Sequence, residues 1–133
     1  MASDSETFPV RSGEDVVKAR QVVRSRAMEV GFSLVEQTKI VTAASELARN
    51  TVIYGGGGEM RIERLHDARR TGLRLTFEDQ GPGIPDIELA LRDGYTSGTG
   101  LGLGLNGARK LSHEFDIWSK LGEGTRVTIT RWK

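Results

Sequence analysis

Three observations predict that this chain folds as an α+β two-layer sandwich. Two long amphipathic segments come early, and alternating apolar segments follow in pairs. The two kinds cluster instead of alternating, as a doubly wound sheet would require. At 133 residues the whole chain, 1–133, suits a single domain that buries roughly two-thirds of its unfolded surface.

Thr7–Val10 reads as a short edge strand, where Pro9 is tolerated because its missing N–H faces no partner. Ser12 followed by Asp15 resembles a capping box opening a helix from Gly13 to Val30. Val16, Ala19, Val23, Ala27 and Val30 form its inward stripe, and Gly31 is its stop. Ser33 and Glu36 open a second helix in the same way. It runs through Ile40, Val41, Ala44 and Leu47 to Tyr54, and the four glycines 55–58 end it as a flexible turn. Met60–Leu65 and Leu73–Phe77 read as strands joined by a polar loop whose Arg69–Arg70 pair is solvated. Leu73, Leu75 and Phe77 alternate, which places one face on a core. Regular structure breaks at EDQGPGIPD. A short helix over Asp86–Asp93 and a longer one over Leu105–Glu114 follow. Phe115–Lys120 and Thr125–Trp132 close the chain as a hairpin turning at Gly122–Gly124.

Composition excludes several classes of function. There is no cysteine, hence no disulfide, thiolate metal site or thiol nucleophile. A net charge of +1 supplies neither a nucleic-acid groove nor a polybasic membrane contact. MASDSETF lacks the basic and apolar regions of a signal peptide, and no run approaches ~18 apolar residues. The expectation is a cytoplasmic protein with no nucleic-acid and no membrane partner. His66 and His113 stand in unrelated contexts without metal-ligand spacing.

Chemistry concentrates in four stretches. In TAASELARNTVIY, Glu46 and Asn50 are four residues apart and share a helix face, where burial without partners would be costly. Alone, the pair also fits a solvated surface. Asp79-Gln-Gly81-Pro-Gly83 ends a buried strand with a carboxylate beside two glycines. That arrangement accepts from the amino group of a flat ligand, repels a carbonyl, and so favours adenine over guanine. GTGLGLGLNG, residues 98–107, contains a formal G-x-G-x-x-G but lacks the strand–helix setting and the later acidic residue of a dinucleotide site. No P-loop and no HRD or DFG set occurs. Successive glycines ahead of a helix still suit a phosphate cradle, and equally a hinge loop. Gly122-Glu123-Gly124-Thr125, alone, is a hairpin turn.

In their order and spacing these stretches resemble the four boxes of the GHKL ATPase/kinase superfamily, extending from residue 46 to residue 125. Within it the chain is similar to the small bacterial anti-sigma-factor-type serine/threonine kinases, and among them to the stressosome switch kinases. SELARNTVIYGGGG, EDQGPGIPDI, DGYTSGTGLGLGLNGARKL and the GEGT…RW ending carry that likeness. Tyr54 stands where most of that group has histidine and the switch kinases have tyrosine. The lid, about Ile87–Ser97, is short.

The resemblance implies a Bergerat-type ATP-binding fold, with a mixed, mostly antiparallel sheet and helices on one face. It implies ATP and Mg²⁺ as cofactors, with Asn50 ligating the metal through its amide oxygen. Glu46 would be the general base for the attacking hydroxyl. Asp79, supported by Thr125 and a water, would hold the adenine amino group, and Gly81 and Gly83 would admit the base. Gly98, Gly100, Gly102 and Gly104, with Thr99, Leu101 and Leu103 between them, would wrap the triphosphate. The implied substrates are STAS-domain stressosome proteins. Once released, the kinase would bind and activate a PP2C-type phosphatase or another output protein. The alternative is a nucleotide-dependent binding module, or an anti-sigma factor that sequesters partners without catalysis.

Overall fold

Five strands pair in the order β1–β2–β3–β5–β4 in the computed structural model, which describes residues 5–91 and 101–133. The elements are β1 (Ser5–Val10), α1 (Gly13–Glu29), α2 (Leu34–Ile53), β2 (Gly58–Asp67) and β3 (Arg70–Asp79). They continue with α3 (Ile87–Ala90), α4 (Leu101–Lys110), β4 (Glu114–Lys120) and β5 (Gly124–Trp132). The expected α+β sandwich is present, and every pairing among the described strands is antiparallel. No helix of the described residues is long and apolar enough to cross a membrane.

One face of the sheet carries the core. Met60 and Ile62 on β2, Leu73, Leu75 and Phe77 on β3, and Val127 and Ile129 on β5 are buried beneath the helices. Burying each of these side chains contributes roughly 1.5–3 kcal/mol. From above, Ala19, Val23 and Ala27 of α1 meet Ile40, Ala43, Ala44 and Leu47 of α2, while Leu105 and Ala108 of α4 pack beside them. The small residues on α1 and α2 let the two axes approach closely. β1 lies at the sheet edge as expected, with Pro9 opposite Glu59.

Local chemistry sets the helix ends. Ser33 Oγ accepts from Glu36 N–H at 3.2 Å, and Glu36 Oε1 accepts from Ser33 N–H at 2.9 Å, a complete capping box. On α1 the box is offset. Ser12 Oγ accepts from Asp15 N–H, but Asp15 Oδ2 reaches back to Arg11 N–H instead of Ser12. Gly31, at φ +87°, is the left-handed stop after α1.

Several boundaries differ from the sequence expectation. β2 and β3 run ten residues each and close through a two-residue turn, Ala68–Arg69, with Ala68 at φ +46°. The arginines are not both solvated there. Arg70 belongs to β3, pairs with Asp67 at 2.8 Å and stacks 4.0 Å over the Trp132 ring. Cross-strand partners thus extend the ladder through a polar stretch that alternation alone would end. The expected Asp86–Asp93 helix is present as Ile87–Ala90, capped by Asp86; the remainder of that segment lies outside the described residues. Helix α4 begins at Leu101, not Leu105, and ends at Lys110, so Gly102 and Gly104 are helical. Glycine in a helix costs about 1 kcal/mol against alanine, which burial of Leu105 and Ala108 against α2 overrides.

The Ser33–Glu36 box has a measurable consequence. The Ser33 backbone N–H holds the Glu36 carboxyl below its ordinary range. A depressed carboxyl contributes stability that is complete above its unfolded value, ~4.3, and is lost as pH falls through the lower folded value. Ser33→Ala is expected to cost about 1 kcal/mol in urea unfolding at pH 7. Glu36→Gln is expected to flatten the acid limb of stability below pH ~4.3 without moving the urea slope.

Candidate functional site

A cavity of about 410 Å³ opens between the C-terminal half of α2 and one end of the sheet. Its walls are apolar, supplied by Leu47, Phe77, Ile84, Ala90, Leu105 and Val127. Set into them are the polar groups of Asn50, Thr51, Tyr54, Asp79 and Thr125. A few convergent polar groups in an apolar pocket of this size fit a flat heterocyclic ligand.

Strand register aligns the polar floor. Asp79 on β3 stands opposite Gly58 on β2 and Thr125 on β5, and Thr125 stands opposite Ser119 on β4. Asp79 Oδ1 accepts from Gly81 N–H at 2.9 Å, so its own turn fixes the carboxylate. Burial pushes the Asp79 carboxyl above its ordinary range; the N–H groups of Gly81 and Thr125 pull it down, and the charge of Glu78 adds a smaller upward push. Desolvation wins, which leaves a carboxyl held in place but short of partners inside the pocket.

The glycines around this carboxyl are there for space. A Cβ on Gly55 would collide with the Asp79 carboxyl, and one on Gly58 with the Glu78 carbonyl oxygen. A Cβ on Gly81 would come within 2.7 Å of the Gly55 carbonyl oxygen, and one on Gly83, at φ +82°, within 2.5 Å of the Lys120 carbonyl oxygen. The expected turn after α2 is present at residues 54–57, with Gly56 and Gly57 at positive φ, but it is not all open space. Gly55 and Gly58 pack against β3, and Gly58 is already the first residue of β2.

On α2, Asn50 faces the cavity. The end of its amide assigned as Nδ2 is buried and has no hydrogen-bond partner, and a Cβ on Gly104 would come within 2.7 Å of it. An orphaned buried amide costs about 1–3 kcal/mol unless a bound group completes it. The oxygen and nitrogen of an amide are interchangeable in shape, so the same position can offer an oxygen to a cation. Among the described residues no group of three or more His, Asp or Glu could hold a metal. A Mg²⁺ here fits only as an ion with one protein oxygen and the remainder from water and phosphate.

Glu46 lies one turn before Asn50 on the same helix face, half-buried and outside the cavity lining. The structure thus brings Asn50, Asp79, Gly83 and Thr125 to one cavity, with Gly81 behind Asp79 and Gly104 behind Asn50. Leu101, Gly102 and Leu103 belong to the first turn of α4. Gly98, Thr99, Gly100 and most of the lid lie outside the described residues. Arg109 and Lys110 end α4, and Arg109 has a structural partner set. It donates to the Leu91 carbonyl oxygen at 3.2 Å and to Asn106 Oδ1 at 2.7 Å, strapping α3 to α4.

Sequence reasoning missed two residues of this site. Gly55 was hidden in a glycine run, although its position just past the Asn50 helix hinted at close packing. Ser119 sits in no glycine motif, yet counting back from the Gly122–Gly124 turn places it opposite Thr125.

Fold and site define a two-layer α/β sandwich with an apolar pocket at one sheet end, into which a carboxyl, an amide and hydroxyl groups are set. The chain belongs to the histidine kinase-, DNA gyrase B- and HSP90-like ATPase family, whose profile matches residues 35–133. It is 44% identical over 130 residues to the serine/threonine-protein kinase RsbT of Bacillus subtilis (strain 168), covering 98% of each chain. It is 31% identical over 119 residues to the anti-sigma F factor of Thermoanaerobacter sp. (strain X514), covering 86% of this chain and 82% of that one. Among solved structures, that of the RsbU and RsbW domains of a Mycobacterium tuberculosis protein superposes with a TM-score of 0.63 at 20% identity. The match covers 96% of this chain and 33% of that one, and shows the shared fold.

Desolvation of the Asp79 carboxyl sets up a trade-off. A carboxyl with a raised folded value makes the fold more stable as pH falls through that value, because protonation removes the desolvation cost. Asp79→Asn is expected to raise the Tm slightly at pH 7, and the gap to wild type is expected to close as the solution is acidified. The same change is expected to weaken binding of an adenine nucleotide, measured by titration calorimetry, by about 100-fold or more.

Proposed function

We propose that this protein is a MgATP-dependent protein-serine/threonine kinase. The observation that carries the reading is the arrangement along one face of α2. Asn50 is at the cavity with an incomplete amide, and Glu46 is one turn before it on the same helix, half-buried and outside the cavity lining. In this reading Asp79 and Thr125 hold the adenine amino group, while Phe77, Ile84 and Val127 cover the base. Asn50 offers an amide oxygen to Mg²⁺, which when bound neutralises charge on the transferring phosphates. The α4 N-terminus offers backbone N–H groups to the phosphates, with Gly102 and Gly104 admitting close approach, and the family resemblance adds Gly98 and Gly100 to that cradle.

Glu46 then accepts the proton of the attacking hydroxyl. It forms no ion pair or hydrogen bond among the described residues. A half-buried position outside the nucleotide cavity suits a base that must meet a hydroxyl on another protein. The RsbT relative, named a serine/threonine-protein kinase, supports a serine or threonine acceptor. The family resemblance implies STAS-domain stressosome proteins as the substrates, with release toward a PP2C-type phosphatase or another output protein.

A second reading has its own support. The relatives named anti-sigma F factor match at about 30% identity, and Glu46 does not line the cavity. The chain could then be a binder that holds partners in a nucleotide-dependent way, with no transfer required.

The two readings separate in one assay with γ-labelled ATP, Mg²⁺ and a STAS-domain protein. Glu46→Ala is expected to slow label transfer by 10²–10⁴-fold while ATP affinity stays within about twofold. Asn50→Ala is expected to lose both transfer and the magnesium dependence of ATP binding. Transfer unaffected by Glu46→Ala would remove the proposed base. A stable ATP-dependent complex without label would leave only the binder.

A further inference from the structure

Ser119 lies on β4 outside every glycine motif and outside the cavity lining, yet its hydroxyl joins both polar loops of the site. Its Oγ accepts from the Ile84 N–H at 2.8 Å, which anchors the Gly81–Ile84 turn. It stands 3.1 Å from the Gly124 carbonyl oxygen and 2.9 Å from Thr125 Oγ1.

Proton counting sets the direction of these bonds. A carbonyl oxygen cannot donate, so the single Ser119 proton must lie toward Gly124, or two oxygen lone pairs would face each other. The short contact to Thr125 then requires Thr125 to donate its own hydroxyl proton to Ser119. Thr125 is left with only lone pairs for the cavity. Beside it in register is Asp79, whose ionised carboxylate is also acceptor-only. The floor of the pocket thus presents two acceptors and no side-chain hydroxyl donor.

We propose that Ser119 is a positioning residue that sets base selectivity. By consuming the Thr125 proton, it makes the pocket read an exocyclic amino group and reject a carbonyl at the same place. This rests on the nucleotide-binding reading above and assigns the discrimination to a hydroxyl that does not touch the ligand. Without Ser119, the Thr125 hydroxyl is free to rotate and donate, and it would then accommodate a carbonyl.

The test compares ATP with inosine triphosphate, which replaces the amino group by a carbonyl, by direct binding to purified full-length protein. Wild type is expected to prefer ATP strongly. In Ser119→Ala the ratio of the two dissociation constants is expected to fall by about tenfold, through weaker ATP binding and stronger inosine nucleotide binding. Ser119→Cys, which keeps the shape with a poor hydrogen-bonding group, is expected to do the same and guards against a misfolded alanine variant. Ser119→Thr, which keeps the hydroxyl, is expected to restore the ratio. A merely structural serine would weaken both nucleotides in proportion and lower the Tm, and an unchanged ratio in the alanine and cysteine variants would overturn the proposal. Failure of the wild type to bind ATP would instead overturn the nucleotide reading, and this assignment with it.

Discussion

The register of the sheet at one end is the constraint on which the rest of this structure depends. Val10, Gly58, Asp79, Thr125 and Ser119 form a single row across all five strands, each opposite the next. Because side chains alternate faces, a slip of one residue in any strand would turn its member of the row to solvent. The hydrophobic residues two positions back, Phe77 on β3 and Val127 two positions on in β5, fix the same register by burial. The core therefore aligns the polar floor. Gly58 is the member that makes room, since a side chain there would press on the β3 backbone.

Over that floor, α2 supplies polar groups from the other layer. Its inward residues, Ala43, Ala44, Leu47 and Ala48, are mostly small, which brings the helix close to α1 and the sheet. Close approach buries one end of the Asn50 amide without a partner and pushes the Asp79 carboxyl upward. Both carry an energetic cost, and both face the same cavity. An orphaned amide and a desolvated carboxyl converging on one space are what a binding site carries, since their cost is recovered when a ligand completes them.

Much of this was legible in the sequence. The two capped helices, the edge position of Pro9, the alternating Leu73–Leu75–Phe77 strand and the closing hairpin all follow from local chemistry that tertiary contacts do not oppose. The polar ends of β2 and β3 were not legible, because Arg70 is held by Asp67 and by a tryptophan sixty-two positions later in the chain. Nor was the start of α4. Glycines at 102 and 104 read as loop by propensity, and only packing against α2, with Gly104 against Asn50, makes them helical. Asn50, Asp79, Gly83 and Thr125 were identifiable as motif members, but their convergence depends on strand order, which no local pattern encodes. Ser119 needed the register of the hairpin, not its composition.

The placement of Glu46 follows from the same geometry. A carboxylate inside the cavity would sit with Asp79 in a desolvated space, and two acceptors of like charge would raise each other's proton affinity. One helical turn away, Glu46 stays half-exposed, unpaired among the described residues and apart from the desolvated Asp79 carboxyl. Separation by one turn also leaves Asn50 between them, where the proposed reading puts the metal and the transferring phosphate. In the proposed reading the pocket end of the sheet selects the ligand, and the exposed side of Glu46 on α2 meets the partner. In that reading selection falls mainly to the sheet and transfer to α2, and the two layers meet in one cavity wall, where Leu47, Asn50 and Thr51 of α2 stand beside Asp79 and Thr125.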